Sequence, residues 1–239
     1  MANPFFKFKQ FTVWHDKCAM KVGTDGVLLG CWCDVPEART LLDVGCGTGL
    51  ISLMLAQRIP AHIDALDIDE AACIQAQENV SRSPFSDHIH IIYTSLARFA
   101  DEQAGKKEYD CIVSNPPYFI DSLKCPDTQR NLARHTDTLP LDRLIHDSTR
   151  LLSPTGCICL VLPFDQRETL LRLIREEGLH LQKETDVLPT PASRPKRLLV
   201  QFGKQACENP RISSLVIEKE RHHYTDEFIA LAKDYYLYL

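Results

Sequence analysis

The run Asn115-Pro116-Pro117-Tyr118 combines a side-chain amide, a rigid backbone and an aromatic ring directly after a short apolar segment. Its two prolines fix φ twice and remove two N–H donors, so the Pro116 carbonyl is held as an acceptor. With the Asn115 side chain, it can accept both N–H bonds of an amino group and free the nitrogen lone pair for attack. Tyr118 can stack on a planar substrate. The motif predicts chemistry at an exocyclic amine, whereas in isolation the run would indicate a proline-rich turn.

A glycine-rich loop, Gly45-Cys46-Gly47-Thr48-Gly49, follows a second apolar segment and precedes a helical pattern. Glycines allow a tight turn and let a ligand lie against bare backbone. The spacing is G-x-G-x-G, whereas the dinucleotide fingerprint is G-x-G-x-x-G, and position 50 is leucine. The loop therefore favours a compact nucleoside without a pyrophosphate, a description that S-adenosylmethionine (SAM) fits.

Acidic and hydroxyl side chains lie at or near the ends of the predicted strands around this loop. Asp43 lies two residues before Gly45, and Asp67 ends the next strand, 22 residues after Gly45. A carboxylate at Asp67 can accept hydrogen bonds from both ribose hydroxyls. Ser95, after the third strand, is either a residue facing an adenine ring or an ordinary turn serine.

The elements that must position these motifs can be followed along the chain. Apolar runs predict strands at 41–44, 63–67, 88–93, 109–114 and 157–162, and helical patterns cover 50–58, 70–80, 139–152 and 167–177. Stretches 179–188 and 197–202 are expected to close the sheet as a hairpin. This alternation predicts an α/β fold with a mostly parallel sheet covered by helices on both faces. Both motifs follow strands, at the edge where such sheets bind ligands. Nearer the start, residues 22–26 predict a turn, with Thr24 or Asp25 capping a short helix to about Cys33.

Composition excludes several classes of protein. The 239 residues are 44% hydrophobic and 25% charged, a globular mixture, and the net charge of −5 provides no general attraction for nucleic acid. No apolar run approaches the ~20 residues that span a membrane, and no export signal is present, which predicts a cytoplasmic protein. The ten cysteines include two C-x-C pairs and no C-x₂-C pair. We therefore expect reduced, mostly buried thiols and no metal site.

The glycine loop and the Asn-Pro-Pro-Tyr motif together resemble class I SAM-dependent methyltransferases, in the branch that modifies amino groups, over about residues 41–162. Four outer segments extend the resemblance over nearly the whole chain, to the bacterial valine-tRNA adenine N6-methyltransferase family. They are residues 21–30, the step Ala133-Arg134-His135, residues 195–200 and the tyrosine-rich end.

That resemblance implies a Rossmann-like fold with a mostly parallel seven-stranded sheet, SAM as cofactor and tRNA as partner. The implied SAM-binding residues are Lys21, Thr24, Asp25, Asp43, Gly45, Gly47, Gly49, Asp67, Ser95 and Asn115, with Thr24 and Asp25 near the methionine end. The implied catalytic residues are Asn115, Pro116, Pro117 and Tyr118. The target is the adenosine on the 3′ side of a valine tRNA anticodon, which must be unpaired or flipped to reach the site.

Further expectations concern partners and organisation. Arg194, Lys196 and Arg197 are candidate RNA contacts because prolines hold them in a rigid loop. The chain is expected to be a monomer with no DNA partner and one domain over residues 1–239. In it, residues 1–40 contribute to the cofactor and RNA sites, 41–203 form the core, and 204–239 pack on that core.

Other functions remain open from sequence alone. The same motif serves ribosomal-RNA amino-methyltransferases and protein glutamine N5-methyltransferases, although only about 40 residues precede the glycine loop, which is short for a protein-recognition domain. A DNA adenine methyltransferase is disfavoured, because the chain leaves no region for a sizeable target-recognition domain. A non-catalytic RNA-binding module is disfavoured by the intact Asn115, and a nicotinamide dehydrogenase by Leu50.

Overall fold

A computed structural model describes residues 3–18, 21–117 and 139–238. The strands are β1 (Phe5–Lys7), β2 (Thr12–Trp14), β3 (Thr40–Val44), β4 (His62–Asp67), β5 (Ile89–Tyr93), β6 (Tyr109–Ser114), β7 (Leu152–Pro163), β8 (His180–Leu188), β9 (Arg197–Gly203), β10 (Arg211–Val216), β11 (Glu218–Glu220) and β12 (His223–Tyr224). The helices are α1 (Thr24–Trp32), α2 (Leu50–Ala56), α3 (Glu70–Ser81), α4 (Leu96–Gln103), α5 (Leu141–Leu151), α6 (Arg167–Glu176) and α7 (Asp226–Ala232).

Within the described residues, eight strands form the central sheet, in the order β10-β8-β9-β7-β6-β3-β4-β5. From β5 to β7 all neighbours are parallel, whereas β9 is antiparallel to both β7 and β8. The predicted α/β fold and closing hairpin are therefore confirmed. The strand count differs from the predicted seven, because β10, in the C-terminal segment, pairs in parallel with β8 at the sheet edge.

The sheet separates two apolar clusters, because successive residues of its buried strands point to opposite faces. On β3, Leu41 packs with the cluster that contains α1 and α2, and Leu42 packs with the cluster that contains α5 and α6. Both leucines are fully buried. Helices thus cover both faces, and the carboxyl ends of the parallel strands are left to form one edge.

Local signals explain most helix boundaries. The Asp69 side chain accepts a hydrogen bond from the Ala71 backbone N–H (2.9 Å) and begins α3. Helix α1 departs from expectation, because it begins at Thr24 with Gly23 as N-cap and has no side-chain capping bond. Neither Thr24 nor Asp25 is therefore the cap; both lie in the first turn, where the Asp25 carboxylate pairs with Arg197.

The two ends of the described chain pack together. Phe8 bridges to Tyr236, and the buried Tyr235 hydroxyl donates to the Met54 carbonyl oxygen at 2.8 Å. In the part of the chain that the structure describes, every helix is too short or too polar to cross a bilayer.

Candidate active site

The two motifs meet at the carboxyl edge of the sheet. Strands β3, β4 and β6 are neighbours in parallel register, so the glycine loop after Val44, the Asp67 carboxylate and Asn115 lie at the same edge. The Ser114 hydroxyl donates to the Val44 carbonyl oxygen at 2.7 Å and fastens the β6 end to the β3 end. The fold therefore brings together the two motifs, which are separated by some 70 residues of sequence.

The glycine loop has the backbone geometry that only glycine adopts readily. Gly45 and Gly47 have φ of 72° and 55°, and a Cβ at either position would have no neighbouring atom within 4 Å. The Gly45 and Cys46 N–H groups both donate to the Leu66 carbonyl oxygen at 2.9 Å, which ties the loop to β4. The loop consequently exposes bare backbone to an open space.

Asp67 is fixed by its neighbours at the end of β4. One carboxylate oxygen accepts the Gly47 N–H at 2.8 Å, and the other accepts the Asp69 N–H at 2.9 Å. Each carboxylate oxygen has a second lone pair, so both can accept a further hydrogen bond. The side chain is therefore oriented as an acceptor beside the glycine loop.

Asn115 lines two cavities. The first has a volume of about 610 Å³, and the sequence-predicted residues Asp67 and Ser95 line it. The second has a volume of about 470 Å³, and Lys21, Thr24 and Asp25 line it. Both cavities share the wall formed by Gly45, Gly47, Asn115, Pro116 and Pro117. Ser95 also caps α4 by accepting the Arg98 N–H at 3.3 Å, as an ordinary turn serine would, and its contact with an adenine ring stays a prediction.

Helix α1 passes close to the shared wall. A Cβ at Gly26 would lie 3.1 Å from Leu50 Cδ2 and 3.9 Å from Asn115 Nδ2. The same end of α1 presents Asp25, whose carboxylate accepts a hydrogen bond from Arg197 Nε at 2.8 Å. Arg197 lines the second cavity, so this ion pair closes one side of it.

Asp43 and Gly49 are not among the residues that line the two cavities, and their contact with the cofactor stays a prediction. Asp43 is fully buried, and one carboxylate oxygen accepts both the Ser52 N–H (3.1 Å) and the Ser52 hydroxyl (2.7 Å). Burial raises the pKa of Asp43 to about 7. Gly49 has φ of 78° and starts α2, and a Cβ there would press on Ala76 at 3.4 Å. Both residues position the loop from behind.

Some of the residues predicted for RNA contact or catalysis are not among the described residues that line the two cavities. Arg194 and Lys196 are exposed and belong to neither described cavity wall. Tyr118 and the step Ala133-Arg134-His135 are outside the described residues.

The sequence analysis missed several residues of the site. Ile68 is half-exposed and lines the first cavity directly after Asp67. Helix α5 adds Arg143, His146 and Arg150 to the same cavity. Their spacing places them on one helix face, a signal that the sequence did carry.

Asn79 links the N-terminal segment to the glycine loop. Its Nδ2 donates at 2.9 Å to the carbonyl oxygens of Trp14 and Thr48, and its Oδ1 accepts the Trp14 N–H. Nothing in the local sequence of α3 distinguishes this asparagine from a surface residue. Only the packing of the β1–β2 hairpin against α3 shows its role.

Comparisons with known proteins agree with this geometry. The model of the methyltransferase small domain family matches residues 22–175. The tRNA1(Val) (adenine(37)-N6)-methyltransferase of Parabacteroides distasonis is 59% identical over 237 residues, 99% of each chain. The protein of that name from Phocaeicola vulgatus is 52% identical over 237 residues, again 99% of each chain.

A solved structure shares the fold. It is described as a predicted O-methyltransferase from Agrobacterium tumefaciens and superposes with a TM-score of 0.68. The match covers 88% of this chain and 96% of that chain at 17% identity. At this identity the likeness shows the fold alone, and that fold is the Rossmann-like arrangement expected from the sequence.

Proposed function

Because this chain belongs to the methyltransferase small domain family, we propose that it transfers a methyl group from SAM to the N6 amine of adenosine 37 in a tRNA. Relatives that match the chain from end to end carry that activity in their names. We extend the proposal to a valine tRNA as the substrate, a monomer as the active form and the cytoplasm as its location.

The observation that carries the proposal is the wall shared by the two cavities. A reaction that joins two molecules needs their reacting atoms side by side, and the wall that contains Asn115 and Pro116 borders both cavities. SAM can therefore extend past this wall into both cavities, with its methyl group beside Asn115 and Pro116, where the target amine would be held.

The residues around the first cavity fit the nucleoside part of SAM. The open backbone at Gly45 and Gly47 leaves room for a ligand, and Asp67 is oriented to accept the ribose hydroxyls. Ser95 would lie beside the adenine, and Thr24 and Asp25 near the methionine end. When bound, SAM supplies an electrophilic methyl group.

The contribution of Asn115 and Pro116 is to hold the target amine. The Asn115 side-chain oxygen and the Pro116 carbonyl oxygen would each accept one N–H of the adenine N6. With both hydrogens held, the nitrogen lone pair leaves conjugation with the ring and becomes the nucleophile. Once the nitrogen carries the methyl group it is cationic and readily loses a proton to water, so a strong base is not required.

An unpaired base suits this site. The shared wall lies at the edge of the sheet, and an adenine inside a helical stack could not enter either cavity. An anticodon-loop base costs little to extrude because it is already unpaired. Arg194 and Lys196 lie in the loop before β9, and Arg197 is the first residue of β9; these three are our candidates for backbone phosphate contacts.

The test uses purified protein, labelled SAM and bulk tRNA from cells that lack this protein. Mass spectrometry then identifies the modified nucleoside and the tRNA that contains it. We expect N6-methyladenosine at position 37 of a valine tRNA. Methylation of another RNA or of a protein glutamine would replace the proposed substrate, and SAM binding without any transfer would contradict the proposed reaction.

Asn115→Ala tests the mechanism, with Asn209→Ala in an exposed loop as the matched control. Removing an oriented hydrogen-bond partner of the reacting group is expected to lower kcat by about 100-fold or more. The control is expected to keep wild-type kcat, and both variants to retain most of their SAM affinity. A normal rate in Asn115→Ala would rule out the amine-holding role.

A further inference from the structure

Four cysteines from three separate segments meet in the core, remote in sequence from one another. Cys33 follows the last residue of α1, Cys111 lies on β6, and Cys157 and Cys159 lie on β7. Cys111 pairs with Cys157 in the parallel register, and residues two apart on a strand share a face. The three strand cysteines therefore point to the side of the sheet covered by α1.

Three of these thiols have the spacing of metal ligands. The Sγ atoms of Cys33, Cys111 and Cys159 all lie within 4.8 Å of one another, and the Cys33 and Cys111 sulfurs are 3.8 Å apart. A cation about 2.3 Å from each of several tetrahedrally arranged thiolates separates the sulfurs by about 3.8 Å. A cation could therefore occupy the centre of the group with little movement of the backbone.

Cys157 lies on the same face of β7 as Cys159, but its sulfur is not among the three that lie within 4.8 Å of one another. Cys33, Cys111 and Cys159 are completely inaccessible to solvent, and Cys157 is 6% exposed. Closed, all-sulfur surroundings of this kind are characteristic of structural metal sites, whereas catalytic sites keep a position open to solvent.

Two cationic side chains flank the cluster. Arg58 Nη2 donates to the Cys33 carbonyl oxygen at 2.6 Å, and Lys183 Nζ donates to the Trp32 carbonyl oxygen at 3.3 Å. A divalent cation with three thiolates carries a net charge of −1. The two nearby positive charges would offset the cost of burying that charge.

We propose that Cys33, Cys111 and Cys159 bind a soft, thiolate-preferring cation. Cu⁺ suits soft thiolate ligands, and Zn²⁺ also binds cysteine thiolates. Each thiol that coordinates releases its proton to the solvent, and no sulfur is oxidised. The bound ion would join the carboxyl end of α1 to β6 and β7, whereas the opposite end of α1 borders the second cavity.

The first experiment measures metal in the wild-type protein as purified under reducing conditions. Inductively coupled plasma mass spectrometry is expected to find about one Zn or Cu atom per chain. Protein stripped by denaturation with a chelator and refolded with Co²⁺ is expected to show the intense near-ultraviolet band of thiolate-to-cobalt charge transfer. The mass of the intact chain should show all thiols reduced.

Matched variants locate the ion. Cys33→Ala removes one proposed ligand, and Cys31→Ala removes a buried cysteine of α1, two residues away, that lies outside the cluster. Metal content and the cobalt band are expected to fall at least about tenfold in Cys33→Ala and to persist in Cys31→Ala. Wild-type protein with no bound metal and no cobalt band would overturn the proposal, as would a Cys33–Cys111 disulfide in its place. The wild-type measurement decides the question even where Cys33→Ala does not fold.

Discussion

Two single variants, Gly47→Ala and Gly105→Ala, distinguish the cost of backbone strain from the effect of a methyl group placed in the proposed cofactor site. The φ angles are 55° and 76°, and at both positions a Cβ would have no neighbour within 4 Å. Gly47 lines both cavities, whereas Gly105 lies on the exposed turn after α4. The two substitutions therefore impose similar strain, and only Gly47→Ala adds a methyl group where SAM is proposed to lie.

The two variants are expected to lower Tm by similar amounts but to differ in their Kd for SAM. A left-handed backbone costs an L-residue roughly 1–2 kcal/mol, and 1 kcal/mol lowers Tm by about 2–4 °C in a domain of this size. Both variants should therefore melt about 2–8 °C below the wild type. In Gly47→Ala the methyl also displaces a ligand from the backbone, and each 1.4 kcal/mol of lost contact weakens binding tenfold. We expect the Kd for SAM to rise at least about tenfold there and to stay within about twofold in Gly105→Ala.

Calorimetric titration with SAM, at a temperature where both variants are folded, measures the two Kd values, and circular dichroism measures Tm. Equal Kd values in Gly47→Ala and Gly105→Ala would refute the placement of SAM against the loop. A large Tm difference between them would instead refute the premise that they carry the same strain.

Three further predictions concern charged groups. Burial raises the folded-state pKa of Asp43 to about 7, above its unfolded value near 4. The folded state therefore holds this proton more tightly, and the free energy of unfolding falls as the pH rises from about 4 to about 7. Urea unfolding should therefore show the free energy of unfolding of Asp43→Asn, relative to wild type, rising by up to about 1.4 kcal/mol per pH unit from pH 4 to 7; a constant difference would contradict the raised pKa. Asp67→Asn should weaken SAM binding by about tenfold to a hundredfold, since hydrogen bonds to a charged acceptor contribute about 1.5–3 kcal/mol, and a change below threefold in calorimetry would remove Asp67 from the ribose. Arg194→Ala and Lys196→Ala should each reduce the slope of log K for tRNA against log salt by about 1 while SAM affinity is unchanged; unchanged filter-binding slopes would place both residues off the RNA.

Local sequence was sufficient wherever a short-range preference and the tertiary environment agree. The apolar run Tyr109–Ser114 is a strand with the predicted bounds, and the glycines at 45 and 47 adopt the left-handed backbone expected of the loop. Helix α4 was missed, although its buried Leu96, Phe99 and Ala100 have helical spacing, because the segment is short and largely polar.

The reaction class also followed from sequence, since it depends on which groups stand at strand ends. Alternating strands and helices imply parallel strands, and parallel strands bring their carboxyl ends to one edge. The sequence alone therefore implies that Asn115 and the glycine loop lie close together. It does not imply the roles of Asp43 and Gly49, because their contacts with Ser52 and Ala76 depend on how α2 and α3 pack behind the loop.

What only the tertiary structure decided is which distant residues become neighbours. The spacing of Cys33, Cys111 and Cys159 contains no metal-binding pattern, and spacing alone predicts no site there. Strand register and the position where α1 ends bring their sulfurs within 4.8 Å. The strand order that separates Asp67 and Lys21 into two cavities is likewise a property of the whole sheet. Sequence fixes the local conformations and the chemistry of the side chains, whereas such long-range contacts depend on the packing of all the elements at once.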